Sequence, residues 1–156
     1  MNSDTFLQRA IELAIQHSVD GRHGPFGAVI VKDGEIVAEG WNQVIDGNDP
    51  TAHAEIMAIR KASETLQSVH LHGCTIYSSC EPCPMCLAAM YWAKLDKVVF
   101  AASQDDAQVA GFQDSMYYEE MCKSWNERRI LSEQRLRSEG QRVFEVWLQN
   151  PKRVEY

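Results

Sequence analysis

Two short passages carry residue types that can do chemistry: His53-Ala54-Glu55 and Glu81-Pro82-Cys83-Pro84-Met85-Cys86. Cys83 and Cys86 are three apart at a predicted helix start, which puts their sulfurs on one face about a turn from each other. Such a pair supplies two corners of a tetrahedral zinc site, and His53 can supply the third. A structural zinc would want a fourth protein ligand. Three ligands leave one corner for water, the arrangement of a catalytic centre. Glu55, two residues after His53, is the natural acid/base beside that water. Both passages open predicted helices, whose free N–H groups and positive dipole end favour thiolate over thiol. The expectation is one Zn2+ per chain, held by His53, Cys83 and Cys86.

Either passage alone is weak, since C-x-x-C also serves redox chemistry and structural zinc, and H-x-E arises by chance. The order H-A-E, strand, P-C-x-x-C is the informative feature. Cys80 competes as a ligand, but it falls at the end of a predicted strand and reads as a core thiol, as do Cys74 and Cys122. The histidines His17, His23, His70 and His72 lie in helix or loop contexts with no evident partner, so surface or core roles are expected. Five cysteines, an odd number, speak against a disulfide framework. Met1-Asn2-Ser3-Asp4 carries acid where a signal peptide needs base, so the protein is expected to be cytoplasmic.

The elements that must position these residues are legible from periodicity. Ser3 or Asp4 can cap a first helix with an apolar stripe of Phe6, Leu7, Ala10, Ile11, Ala14 and Ile15, ending before Gly21 and Gly24. Residues 26–32 and 35–43 read as strands joined by Asp33-Gly34, a strong hairpin signal. After a turn at residues 46–50, Thr51 can cap a helix to about residue 67. Residues 74–79 form a third strand, Pro84 opens a helix to about residue 94, and residues 97–102 form a fourth strand. Helices are expected over 104–110 and 115–128, a fifth strand over 130–136 and a last helix over 141–148. The predicted fold is a three-layer α/β/α domain with a central five-stranded mixed sheet, its later strands parallel through helical crossovers.

Composition limits the alternatives. The 156 residues favour one domain, and 45% hydrophobic with 24% charged residues is ordinary for a globular chain. The apolar stretches at 26–31 and 86–93 fall well short of the roughly 20 residues a membrane helix needs. Net charge is 15 − 22 = −7, unlike a protein whose main partner is a polyanion. Residues 1–115 hold 7 basic and 15 acidic groups, and residues 116–156 hold 8 and 7. The alternating signs of that tail read as solvated surface rather than a nucleic-acid face.

With these residues in view, the sequence resembles the cytidine deaminase superfamily, whose zinc nucleobase deaminases share the H-x-E…P-C-x-x-C order. Within it the similarity is to bacterial guanine deaminases of this fold. It rests on residues 24–31 (Gly-Pro-Phe-Gly-Ala-Val-Ile-Val), 48–55, 79–86, Met90-Tyr91-Trp92-Ala93, Gly111-Phe112-Gln113-Asp114-Ser115 and the C-terminal Val154-Glu155-Tyr156. The resemblance implies hydrolysis of guanine to xanthine and ammonia, with His53, Cys83 and Cys86 on zinc and Glu55 shuttling protons. It implies that Asp114 holds and protonates the departing amino group. Phe26, Asn42, Ala54, Trp92 and Tyr156 would bind the purine, with Phe26 and Trp92 against the ring and Asn42 at its edge. One departure is Gln113, often acidic in relatives. The resemblance further implies a homodimer in which residues from about 116 to 156 are exchanged between subunits, so that Tyr156 reaches a neighbouring site. From the residues themselves, other readings stay open: a tRNA adenosine deaminase, a deaminase of cytosine or an aminotriazine, or a non-catalytic zinc module.

Overall fold

A computed structural model describes residues 3–156. They form two compact units, the first ending at Tyr118 and the second Glu119–Tyr156.

In the first unit α1 (Ser3–Ser18) precedes the hairpin β1 (Gly27–Lys32) and β2 (Glu35–Trp41). The short α2 (Val44–Gly47) and then α3 (Ala54–Leu66), β3 (Cys74–Cys80), α4 (Pro84–Trp92), β4 (Lys97–Ala102) and α5 (Gln104–Val109) follow. Asp33 and Gly34 both take positive φ, 51° and 80°, as the hairpin's primed turn requires. The sheet order is β2-β1-β3-β4, with β1 antiparallel to β2 and β3, and β3 parallel to β4. Period-two alternation divides β1 between two cores. Val29 and Val31 join Phe6, Ala10 and Leu13 of α1 with Tyr77, while Ala28 and Ile30 join α3, α4 and Ile76. Three layers result, as expected.

Two strand glycines set how closely the helices lie on the sheet. A Cβ on Gly27 would sit 2.3 Å from Ala10 O and 2.7 Å from Ala14 N; on Gly40, 2.3 Å from Ala54 O and 2.6 Å from Ala58 N. Backbone therefore packs on backbone at both places, on opposite faces of the sheet.

The second unit holds the end of α6 (Ser115–Cys122), a 3-10 turn at Trp125–Glu127 and α7 (Arg137–Gln149). Arg128 stacks its guanidinium 4.1 Å from the Trp125 ring centroid. Val143, Phe144, Trp147 and Leu148 of α7 are exposed on this chain.

Three expectations need correction. The described residues form four strands rather than five, and 130–136 is irregular. Ile130 and Leu131 are adjacent and would face opposite sides of a strand, while Leu136 takes φ 52°; no single face was available to bury. The helix carrying Glu55 starts at Ala54 rather than at Thr51, whose hydroxyl instead donates to Asp49 at 2.6 Å. Cys122 is exposed rather than buried. Among the described residues no helix is long and apolar enough to cross a membrane.

Candidate metal centre and active site

Strand direction brings the chemistry to one edge of the sheet. Because β1 is antiparallel to both β2 and β3, those two strands run parallel to each other and to β4. Segments leaving β2, β3 and β4 thus emerge where β1 enters, at the carboxyl edge that open α/β sheets use for ligands. The segment after β2 carries Asn42, His53 and Glu55, that after β3 carries Cys83 and Cys86, that after β4 carries Phe112 and Asp114, and the entry to β1 carries Phe26.

His53 immediately precedes α3 and Cys83 immediately precedes α4, each with extended backbone. Their donor atoms and that of Cys86 lie within 4.8 Å of one another. Zinc bonds of about 2.05 Å to nitrogen and about 2.3 Å to sulfur, at a tetrahedral angle, give an N···S edge of about 3.6 Å. His53 Nδ1 lies 3.6 Å from Cys83 Sγ and 3.5 Å from Cys86 Sγ. The triangle has the size a tetrahedral zinc needs, and its one-nitrogen, two-thiolate chemistry fits that ion. Three protein donors leave the fourth corner free for an exchangeable ligand.

A hydrogen bond from the Cys86 thiol, aided by His53, lowers Cys83 to about 4, and Cys86 is raised correspondingly. The Cys83 thiolate in turn raises His53. Cys80 behaves differently: burial raises it to about 11, and its thiol points to Ser103 O at 3.5 Å. It is a core thiol, as its strand position predicts.

Glu55 is buried beside this centre. Ser78 Oγ donates to its Oε1 at 3.2 Å and the Cys86 thiol contacts Oε2 at 3.5 Å. Burial raises its pKa, with the Cys83 charge acting in the same direction, so the carboxyl is readily protonated. Asp114 is raised for the same two reasons, burial first.

A cavity of about 920 Å3 opens over these groups, and its walls include Phe26, Asn42, His53, Glu55, Cys83, Phe112 and Asp114. Phe26 meets Phe112 edge-on, with centroids 4.8 Å apart. Asn42 is nearly buried, its N–H donating to Phe26 O at 3.2 Å and its Oδ1 accepting from Val44 N at 3.3 Å. The Tyr118 hydroxyl anchors the start of α6 to Pro82 O at 2.8 Å.

Six of the expected site residues, His53, Glu55, Cys83, Phe26, Asn42 and Asp114, therefore border one space, and Cys86 closes the metal triangle behind it. Ala54 is fully buried, its carbonyl lying over Gly40. Trp92 does not line the cavity and is 70% exposed. The buried positions of α4 include Cys86 and Met90, and Trp92 lies two residues on, about 200° around the helix, so it faces outward. Tyr156 is exposed at the end of the second unit. Sequence reading missed Phe112, whose ring partner lies 86 positions earlier in the chain. It also missed His23, which borders the cavity and does have partners, Asp20 and Asp46.

Residues 1–102 match the family model for the cytidine and deoxycytidylate deaminase zinc-binding region. The chain is 51% identical to guanine deaminase of Bacillus subtilis (strain 168) over 156 residues, all of both chains. An X-ray structure of guanine deaminase from Bacillus subtilis superposes with TM-score 0.97 at 51% identity, covering 100% of this chain and 99% of that one. A guanine deaminase structure from Nitrosomonas europaea is more distant, with TM-score 0.67 and 30% identity over 72% of this chain and 65% of that one. The tRNA-specific adenosine deaminase of Aquifex aeolicus is 40% identical over 65% of this chain and 67% of its own length. The likeness to guanine deaminase thus runs through the second unit, where the family model ends short of it. The chain belongs to the cytidine deaminase superfamily and, over its whole length, to the guanine deaminase family within it.

Proposed function

We propose that this chain catalyses the hydrolytic deamination of guanine to xanthine and ammonia. The observation that carries this reading is the convergence on one cavity of the His53/Cys83/Cys86 triangle, the buried Glu55 and the half-buried Asp114, in a chain related end to end to guanine deaminase. Zinc, held by those three residues, supplies Lewis acidity that lowers the pKa of water from ~15.7 towards ~7.

The protein's groups do the rest. Phe26 and Phe112 form an aromatic wall for a flat ring, and Asn42, its Oδ1 held by Val44 N–H, offers its amide to the ring edge. Glu55 takes a proton from the attacking water at a carboxylate oxygen and passes it to guanine N3, which makes C2 electrophilic. Because burial raises it, the Glu55 carboxylate is a stronger base towards that water than an exposed one, and after N3 is protonated it carries the second proton, from the new C2 hydroxyl, to the departing nitrogen. Asp114 accepts a hydrogen bond from the 2-amino group and then helps protonate it, so that C2–N breaks with ammonia as the leaving group. The atoms balance: water's oxygen stays on C2, and its two hydrogens end on xanthine and ammonia.

The discriminating experiment is an ammonia-release screen over guanine, adenine, cytosine, an aminotriazine and a tRNA anticodon stem-loop. Guanine alone should be turned over rapidly, and Asp114→Asn should abolish most of that turnover. Release from the stem-loop and none from guanine would overturn the reading. The charge of −7 supports a small neutral base over RNA.

The same reading includes a homodimer in which residues from about 116 to 156 pack on a second copy and Tyr156 covers its site. What supports it is apolar surface left on each unit separately. Tyr91, Trp92 and Phe100 are exposed on the first, and Phe144, Trp147 and Tyr156 on the second. Deleting residues 154–156 should leave zinc bound and reduce guanine turnover sharply. Mixing that chain with Glu55→Gln should restore part of the activity, because one mixed site then holds both Glu55 and a donated Tyr156. No recovery after verified subunit exchange would exclude the exchange.

A further inference from the structure

A second polar cluster borders the cavity apart from the metal ligands. The His23 side chain, only 13% exposed, places Nε2 at 2.7 Å from Asp46 Oδ2 and Nδ1 at 3.3 Å from Asp20 Oδ1. Arg22 adds a guanidinium contact to Asp46 Oδ1 at 3.3 Å, and its N–H donates to Asp20 Oδ1 at 2.9 Å. Asp20 and Arg22 belong to the loop that leads into Phe26. Asp46 belongs to α2, two residues beyond Val44, whose N–H holds Asn42 Oδ1.

We propose that His23 is a positioning residue for the purine base: as an imidazolium bridging Asp20 and Asp46, it straps the loop entering Phe26 to the helix that follows Asn42. This rests on the guanine deaminase reading above. The geometry requires the charged form. Both ring nitrogens face carboxylates, and a neutral imidazole can donate from only one, leaving a lone pair against the other oxygen.

Gly24 carries the strap's effect to the site. A Cβ there would lie 3.1 Å from Phe26 Cδ2 and 3.3 Å from Asn42 Cγ and Nδ2, so its backbone already rests against both side chains. If residues 20–24 drift, Phe26 and Asn42 lose the surface that fixes their spacing. Neither His23 nor its carboxylates belong to the metal triangle or contact Glu55, so binding is the step affected.

The two carboxylates raise the His23 pKa above its ordinary value of 6.5, Asp46 contributing most. The charged groups facing it are Asp20 and Asp46, with Arg22 on the same Asp46. A raised folded-state pKa means that the strap is whole below pH 6.5 and is lost as pH rises through the raised value.

The test uses the zinc-loaded full-length protein and measures kcat and KM for guanine between about pH 6 and 9, with His23→Gln and Asp46→Asn alongside. At the acid end each variant should raise KM roughly five-fold with kcat within about two-fold, the scale of a partly exposed charged contact. The unmodified protein's KM should climb towards theirs as pH rises, while the ratio of KM values falls to one. A constant ratio, or a loss in kcat without KM, would overturn the proposal. An NMR titration of the His23 imidazole, independent of turnover, should show a pKa above 6.5 that falls in Asp46→Asn. An unshifted pKa there would also overturn the strap. No ammonia from guanine in any form, with the NMR shift present, would instead refute the functional reading.

Discussion

The close packing at Gly40 and Gly27 permits a matched pair of perturbations that separates fold from chemistry. A methyl group on either glycine would meet helix backbone at 2.3 Å. Ordinary contact begins near 3.4 Å, so helix and strand must part by about 3.4 − 2.3 = 1.1 Å at each place. Neither glycine takes positive φ, so alanine itself fits the backbone and the clash is the perturbation. Overpacking of this kind costs roughly 1–3 kcal/mol, and with backbone as the obstacle the upper end applies, about 3 kcal/mol. For a chain of this size that lowers Tm by on the order of 6–12 °C.

The consequences for chemistry differ. Gly40 lies under Ala54 and Ala58, so Gly40→Ala lifts the first turn of α3, which carries Glu55 and follows His53. Gly27 lies under Ala10 and Ala14 of α1, on the other face, where no site residue sits. A displacement of about 1 Å at a reacting group costs on the order of a hundred-fold in rate. Gly40→Ala should therefore lose about two orders of magnitude in kcat for guanine and bind zinc more weakly, whereas Gly27→Ala should stay within a few-fold. Thermal melts with and without chelator, zinc titration and ammonia release measure all three quantities. Equal loss of turnover in both variants would refute the argument that Gly40 places the acid/base, and an unchanged Tm in either would refute the close approach.

Cys83→Ala should lose zinc and activity together while Cys80→Ala keeps both, as metal analysis of the purified variants will show; full zinc in Cys83→Ala would contradict the ligand assignment. Glu55→Gln should retain zinc and bind guanine yet turn over at least about a hundred-fold more slowly, the usual scale for a lost acid/base, in single-turnover assays. Arg9 makes a two-pronged pair with Glu39, at 2.7 and 3.0 Å, tying α1 to β2. Its side chain is 37% exposed, so Arg9→Ala should cost only about 1 kcal/mol in denaturant melts. The Arg9 hydrogen bond lowers Glu39 below its ordinary 4.5, so the stability this pair gives is present above pH 4.5 and fades as pH falls through the lowered value. Acid melts of Glu39→Gln should converge with those of the unmodified protein only below that pH.

What the sequence disclosed followed contact range. The ligands sit in two short passages at helix starts, and a three-residue spacing has one geometric meaning, so the zinc triangle was readable without a structure. The hairpin was readable for the same reason, since Asp33-Gly34 fixes its own turn. Trp92 was not. Residues 87–92 of α4 are Leu-Ala-Ala-Met-Tyr-Trp, with no polar face to mark the outside, so nothing local says which aromatic points inward. The strap was invisible too, because His23 and Asp46 are 23 positions apart and α2 is too short to show a period. Strand five failed on a different ground: β propensity without an alternating face has nothing to bury.

Topology supplies the step between those fragments and a site. Helical crossovers from β2 through α3 and from β3 through α4 return each chain segment to the same edge, so the residues just past each strand meet there whatever their separation in sequence. His53 and Cys83 are 30 positions apart and touch because each occupies the equivalent place, the turn into the helix that follows its strand. At that place the helix also presents its positive end, which favours the thiolate at Cys83. β1 alone runs the other way, and its entry therefore delivers Phe26 rather than another ligand. Segments after the parallel strands bring His53, Glu55, Cys83 and Phe112 to that edge, and the entry to β1 sets Phe26 against Phe112 there because one hairpin reverses the chain at Asp33-Gly34.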